Sequence, residues 1–303
     1  MAQKRCCGIT RAGRPCSIDS ACKLTDDCGR LVAEPLRYGG DYCIFHAKPF
    51  VTRPAQNDRR DRQCIVVFLD LESTGVNIFE DRVVEIAAVH APQDPRLFGG
   101  SFSTTVNVDT NILKERGAAA AAVHGIIDEE IAAGPSFPEA WSRFLSWVEC
   151  LFNNAVKETS DDSEDEPEEP QIVENPVLLL AGHNALRFDF PFLLCECHRH
   201  KISVGCFEHW LFVATLHIGQ AFPEHGCLKL QCLIRSLSGA AEDLRAHRAL
   251  DDCIAPRRVV MAFVWKAGVN LPSLMHNFAE VVDLDSSIAQ ISVLLKPSQC
   301  VAG

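Results

Sequence analysis

The 303-residue chain is 47% apolar and 23% charged, a balance that excludes fibrous and wholly disordered classes. No apolar run approaches the roughly 18–20 residues a helix needs to cross a bilayer, which excludes a helical membrane protein. The formal charge of −11 argues against a polyanionic partner only until its distribution is examined: residues 1–63 carry a net +5, and Glu158–Glu169 holds eight acids and no base. Without that one segment the formal charge would be −3, so a nucleic-acid substrate stays open.

The first twenty residues lack a continuous apolar core, so no secretory signal is expected. The fifteen cysteines then read as reduced thiols or metal ligands of an intracellular protein, in the nucleus or cytoplasm with an organelle left open, and not as a disulfide framework. Residues 1–46 are rich in Cys, Gly and basic residues. Cys6, Gly8, Thr10, Gly13 and Cys16, followed by Tyr42, Cys43 and His46, resemble small zinc modules of the form C-x-G-x-T-x-x-G-x-x-C then Y-C-x-x-H. The resemblance implies a structural zinc held by Cys6, Cys16, Cys43 and His46, with metal supplying the folding energy such a short segment lacks. Cys22 and Cys28 lie between the two halves and could substitute or form a second site.

Residues 47–63, with two prolines and alternating charge, read as a linker. From Cys64 the pattern becomes that of an α/β domain. Cys64–Leu71 is a β-branched apolar run expected to be a strand buried on both faces. Arg82–His90 and Phe98–Val108 follow as strands of an antiparallel meander. An Ala-rich helical stretch is expected within Asp109–Gly134, and an amphipathic helix over Ser136–Val156 with Phe137, Trp141, Phe144, Leu145 and Val148 on one side. Residues 157–171, with Pro167, Pro170 and the acidic run, read as a disordered insertion that could dock a protein partner. A buried strand at Val177–Ala181, a helix at Asp189–His200, a strand or short helix near Phe207–Leu216, and helices at Leu228–Leu237 and Asp251–Trp265 complete the domain. Residues 268–303 read as an extension.

Three elements carry chemistry. Asp70 and Glu72 are two apart at the end of the first strand, so they share a face. Paired carboxylates there are costly unless a cation neutralises them. Asp189 stands at the start of an apolar helix, where a plain helix-terminal acid is the alternative. His247 and Asp252 are about 140° out of phase on a continuous helix, so they converge only if His247 precedes the helix that carries Asp252.

The runs FLDLESTG, AGHNALRFDFPFLL and AHRALDD, in that order, resemble the three motifs of the DEDDh 3′–5′ exonuclease family, and Val123-His124-Gly125-Ile126 resembles its VHGI segment. The similarity covers residues 64–267. It implies an RNase H-like α/β fold with a mixed five-stranded sheet flanked by helices. It further implies two Mg²⁺ or Mn²⁺ ions on Asp70, Glu72, Asp189 and Asp252, with His247 as general base and Asp251 a helix-cap neighbour. Ser73, Thr74, His124, Gly125 and Asn184 would contact the substrate. Hard divalent ions prefer carboxylate oxygen, and a pair of them about 3.5–4 Å apart suits phosphodiester hydrolysis. The implied activity is release of nucleoside 5′-monophosphates from the 3′ ends of single-stranded DNA or RNA. An RNA-trimming enzyme and a non-catalytic adaptor on the same fold are the alternatives. Ala214-Thr215-Leu216 departs from members that have Asp before Thr-Leu.

Purified protein is expected to carry about one zinc per chain, as a single Cys₃His site would. Metal analysis of wild type against Cys43→Ser/His46→Ala checks this; equal, near-zero zinc in both would remove the module.

Overall fold

The computed structural model describes residues 24–25, 31–33, 51–55, 63–92, 99–160, 176–222, 227–238 and 248–295. The expected zinc ligands Cys6, Cys16, Cys43 and His46, with Cys22 and Cys28, lie outside these residues, as do His247 and residues 161–171 of the insertion. Within the Cys-rich segment, β1 (Leu24–Thr25) and β2 (Leu31–Ala33) pair as an antiparallel ribbon.

A second sheet organises the rest. Its strands are β3 (Thr52–Pro54), β4 (Cys64–Ser73), β5 (Val83–Ala91), β6 (Ser101–Thr105), β7 (Val177–Gly182), β8 (Leu211–Ala214) and β9 (Glu280–Val282), in the order β3-β9-β8-β7-β4-β5-β6. The β4-β5-β6 meander is antiparallel, and β7 and β8 add parallel to β4. The sheet has seven strands where five are expected. The two extra ones come from stretches that read as non-domain sequence. Thr52–Pro54, in the expected linker, pairs antiparallel with Glu280–Val282, in the expected extension, and β9 joins β8 through Phe212 and Glu280. Both are three residues long, too short for alternation to register in sequence, and Pro54 sits at the sheet edge, where a strand proline is tolerated.

β4 runs through the middle and packs on both faces, as its unbroken apolar run requires. Ile65, Val67, Leu69 and Leu71 face one cluster, with Phe137, Trp141 and Phe144 of α4 (Phe137–Ser160) and Phe190 of α5 (Asp189–Arg199). Cys64, Val66 and Phe68 face the other, with Cys253, Val259, Val260 and Phe263 of α8 (Ala249–Ala267). Each such buried side chain contributes about 1.5–3 kcal/mol, so the two clusters fix β4 between α4 and α8. α4 continues to Ser160, four residues beyond the expected end, so the first residues of the acidic insertion are helical in backbone. The Ala-rich stretch is broken: α1 (Thr110–Ile112), a π-helical turn over Leu113–Gly117, α2 (Ala118–His124), then α3 (Asp128–Ala133). Gly125 ends α2 with φ +71°, a left-handed position that glycine adopts without a Cβ clash.

Near Phe207–Leu216 both expected forms occur: a 3₁₀ turn at Gly205–His209, then β8 and α6 (Thr215–Gln220). α7 (Leu230–Ser238), α9 (Leu271–His276) and α10 (Leu284–Leu294) complete the helices. No described helix is long and apolar enough to cross a membrane. The expectation of reduced cysteines needs one correction: Cys227 and Cys232 are joined by a disulfide, Cα–Cα 5.9 Å, because the chain turns into α7 between them. Cys64, Cys195, Cys197 and Cys253 are buried free thiols, as expected of packing residues, whereas Cys150 is exposed.

A charged pair is buried on α5. Arg199 Nη1 lies 2.7 Å from Glu196 Oε1, and both side chains are all but inaccessible. Arg199 Nη2 also donates to the carbonyls of Ile78 (3.3 Å) and Phe79 (3.0 Å), and the Val83 amide donates to Glu196 Oε1 (3.3 Å). α5 is thereby tied to the β4–β5 loop. Burial alone would raise the Glu196 carboxyl, but Arg199, His200 and Arg82 hold it below its ordinary value. Removing one partner of such a pair costs about 3–5 kcal/mol, because a buried charge is left uncompensated. Arg199→Met is therefore expected to lower stability by that amount in denaturant unfolding; a loss under about 1 kcal/mol would show the pair to be dispensable.

Candidate active site

The alternation of β4 places the site. Asp70 and Glu72 continue the even-numbered series of Val66 and Phe68, so they leave the strand on the face that α8 covers. At that edge α8 begins with Asp251 and Asp252 in its first turn. Ligand atoms of Asp70, Glu72 and Asp252 all lie within 4.8 Å of one another. Asp189 stands beside them at the start of α5, 4% exposed, and its Oδ1 accepts from the Leu71 amide at 3.2 Å. Asp189 falls outside the compact group of three, yet its charge acts on both Asp70 and Glu72.

The electrostatics show what this crowding costs. Burial, then Asp189, Asp252, Glu72 and Glu85, push the Asp70 carboxyl well above its ordinary value. Burial and the neighbouring acids push Glu72 up to about 8. Asp189 is pushed up to about 7, chiefly by burial and then by Asp252, against the pull of its backbone hydrogen bonds. Such groups are stable as anions only with positive charge among them. An all-oxygen donor set of this kind fits hard divalent cations such as Mg²⁺ or Mn²⁺.

The other residues expected at the site divide. Thr74 is buried and its hydroxyl is engaged: it donates to Asp81 Oδ1 (3.3 Å) and accepts from the Arg82 amide (3.0 Å). Asp81 also accepts from the Asn77 amide (2.8 Å) and from Arg116 (3.2 Å), which pairs with Glu80 as well. Ser73 Oγ donates to the Gly75 carbonyl at 2.6 Å. Both hydroxyls thus close the loop after β4. A Cβ on Gly75 would stand 2.5 Å from Asp81 Oδ2, so the loop needs glycine there. His124, 5% exposed, accepts from the Ile126 amide through Nδ1 at 3.0 Å. With burial lowering its pKa, the ring is neutral near pH 7, and Nε2 carries the proton. Gly125 follows it in the turn that closes α2. Asn184 lies in the β7–α5 turn and its carbonyl accepts from the Arg187 amide at 3.0 Å. Asp252 donates its amide to the Arg248 carbonyl at 3.0 Å, which closes the first turn of α8.

Sequence reasoning missed Glu85, Asp81 and Arg248. Glu85 lies directly across the β4–β5 ladder from Glu72 and is 2% exposed. A charged residue at a buried position of an otherwise apolar strand was the available signal, and its partner is 163 residues away, beyond any local pattern.

A family model described as Exonuclease matches residues 67–157. Among curated proteins, exonuclease DPD1 of Arabidopsis thaliana, chloroplastic/mitochondrial, is 25% identical over 246 residues, covering 78% of this chain and 68% of that protein. A solved exonuclease I structure superposes with a TM-score of 0.51 at 18% identity over 70% of this chain and 42% of its own. The nuclease domain of 3′hExo, a DEDDh family member bound to rAMP, is similar at 16% identity and TM-score 0.49, covering 67% of this chain and 92% of that domain. This chain spans less than half the length of the exonuclease I chain.

The raised carboxyls set a pH dependence. Groups whose folded pKa exceeds the unfolded one bind more protons when folded, so stability falls as pH rises from the unfolded value near 4 through about 7–8. In EDTA the protein is expected to melt higher at pH 5.5 than at pH 8.5, with Asp70→Asn narrowing the gap and millimolar Mg²⁺ restoring the pH 8.5 value. Melting curves across that range check it; a pH-independent melt in EDTA would contradict the crowding. The motif order, the convergence of Asp70, Glu72 and Asp252, the exonuclease model and the plant relative together support a 3′–5′ exonuclease of the DEDDh type.

Proposed function

We propose that the chain hydrolyses single-stranded DNA or RNA from the 3′ end, one nucleoside 5′-monophosphate at a time. The observation that carries this is the convergence of Asp70, Glu72 and Asp252 within 4.8 Å. Three crowded carboxylates serve a binding adaptor poorly, since they repel a phosphate backbone unless cations are present. In this reading Asp70, Glu72, Asp189 and Asp252 would hold two Mg²⁺ or Mn²⁺ ions, which when bound supply neutralisation of the charge developing on the phosphate and a more acidic water. Asp189 keeps its carboxylate oriented through the Leu71 amide. His247, whose side-chain class has a reference pKa near 6.5, takes the proton of the attacking water. His124 offers its Nε2 proton to the terminal nucleotide, its ring held by Ile126. Gly125, which has no side chain, lets the chain approach that nucleotide closely, and Asn184, Ser73 and Thr74 shape the entrance.

The named relative is chloroplastic/mitochondrial, which lends no support to the nucleus or cytoplasm expected from sequence. The acidic insertion remains a docking segment for a basic protein in this reading, and the Cys₃His module a structural zinc site.

End-labelled DNA and RNA of matched sequence, single- and double-stranded, test the reading. Mg²⁺-dependent release of mononucleotides is expected, abolished by EDTA and by Asp70→Ala or Asp252→Ala in folded protein. His247→Ala is expected to lower the rate by about 10²–10⁴-fold while metal-dependent binding persists. Tight binding of every substrate with no cleavage would establish the adaptor instead.

A further inference from the structure

We infer that Glu85 is a positioning residue for Asp252, acting through the first turn of α8; the inference rests on the metal-ligand role proposed for Asp252. Glu85 sits on β5 opposite Glu72. Like charges directly across an antiparallel pair are destabilising, yet Glu85 is 2% exposed and stands outside the converging group of three. Both its oxygens are engaged elsewhere. Oε1 accepts from Arg248 Nη2 at 2.9 Å and Oε2 from the Ala249 amide at 3.0 Å.

Ala249 is the first residue of α8, and its cap residue, Arg248, makes no side-chain capping bond of its own. The amides of a helix's first turn need acceptors from outside the helix. Here a strand carboxylate supplies one, and it gains from the helix dipole as well. The effect reaches Asp252 in one step, because the Arg248 carbonyl accepts from the Asp252 amide at 3.0 Å. A second pin follows one residue later: the buried Cys253 thiol donates to the Ala87 carbonyl of β5 at 3.2 Å. Ala87 lies opposite Asp70 in the β4–β5 register. The turn that carries Asp252 is therefore fastened to β5 at Glu85 and at Ala87, two residues apart on one face of the strand. These are the positions opposite Glu72 and Asp70.

This arrangement gives each of the paired glutamates one task. Arg248 and the helix amide engage both oxygens of Glu85, so it stays outside the converging group and holds the third carboxylate in register with β4, while Glu72 faces that group. Removing Glu85 leaves the Ala249 amide and the Arg248 guanidinium without it. The first turn of α8 then frays from its free end, and Asp252 loses its fixed separation from Asp70 and Glu72.

The test compares full-length wild type, Glu85→Ala, Glu85→Gln and Arg248→Met. The readouts are amide exchange at residues 249–253, Mn²⁺ affinity measured with the metal alone, and kcat and KM on an end-labelled single-stranded oligonucleotide. Loss of a residue that orients a metal ligand typically costs about 10–100-fold in metal affinity or activity. Glu85→Ala is expected to weaken Mn²⁺ binding by that factor, to lower kcat similarly with KM little changed, and to speed exchange at 249–253. Glu85→Gln, which keeps an acceptor for Ala249, is expected to recover part of the loss. Folded Glu85→Ala with wild-type Mn²⁺ affinity and only a lower melting temperature would overturn the inference, leaving a helix cap with no bearing on the site. Should Glu85→Ala not fold, wild-type Mn²⁺ affinity in both Glu85→Gln and Arg248→Met overturns it equally. Wild type that binds Mn²⁺ but cleaves nothing would refute the exonuclease reading alone, since the Mn²⁺ comparison still decides the role of Glu85. Wild type that binds no Mn²⁺ overturns both.

Discussion

The mutual repulsion of carboxylates gathered at one end of β4 is the constraint to which the surrounding structure answers. Three of them lie within 4.8 Å, with Asp189 beside them, and each is pulled partly out of water. A fold cannot relieve that repulsion by letting the acids drift apart, because separation would also undo the grouping that could hold a cation. It must instead hold the acids on elements that cannot move independently. β4 meets this need, being paired on both edges and packed on both faces by side chains that are almost fully buried.

The other two carriers are helices, and their first turns are fastened to the sheet from outside. α5 presents Asp189, whose carboxylate is bound by a β4 amide, and its last turn is tied to the β4–β5 loop through Glu196 and Arg199. α8 presents Asp252, with Glu85 and Ala87 of β5 holding the turn on either side of it. Every acid thus reports back to β4 or β5 within a few bonds. Helix N-termini suit the task because their free amides and dipoles favour anions, which offsets part of the repulsion before any cation arrives.

The loop after β4 is organised by the same logic with charges reversed in role. Asp81 is buried, and the amide of Asn77, the hydroxyl of Thr74 and the guanidinium of Arg116 surround it. That network spends the Thr74 hydroxyl, which a motif reading assigns to substrate, on the shape of the loop, and the Ser73 hydroxyl is spent there too, on the Gly75 carbonyl.

Local pattern alone determined a good deal of this protein. The unbroken apolar run of β4, the spacing of Phe137, Trp141 and Phe144, and the two-residue offset of Asp70 and Glu72 follow from periodicities of 2 and 3.6 that act over a few residues. From these came the central strand, the long amphipathic helix and the shared face of the first two acids. Tertiary structure alone decided how far Asp189 stands from the other three, why Thr74 turns inward, and that β3 and β9 extend the sheet. Asp189 is placed by the Leu71 amide, 118 residues away, the β3–β9 pair joins strands too short to show alternation, and Thr74 turns inward to Asp81 and Arg82 across a loop that has no period. Glu85 illustrates the difference: in sequence it is one acid in an apolar strand, and only the fold supplies Arg248 and Ala249 to explain it. Long-range pairing leaves no local period, because the energy that selects it comes from groups brought together after the chain has folded.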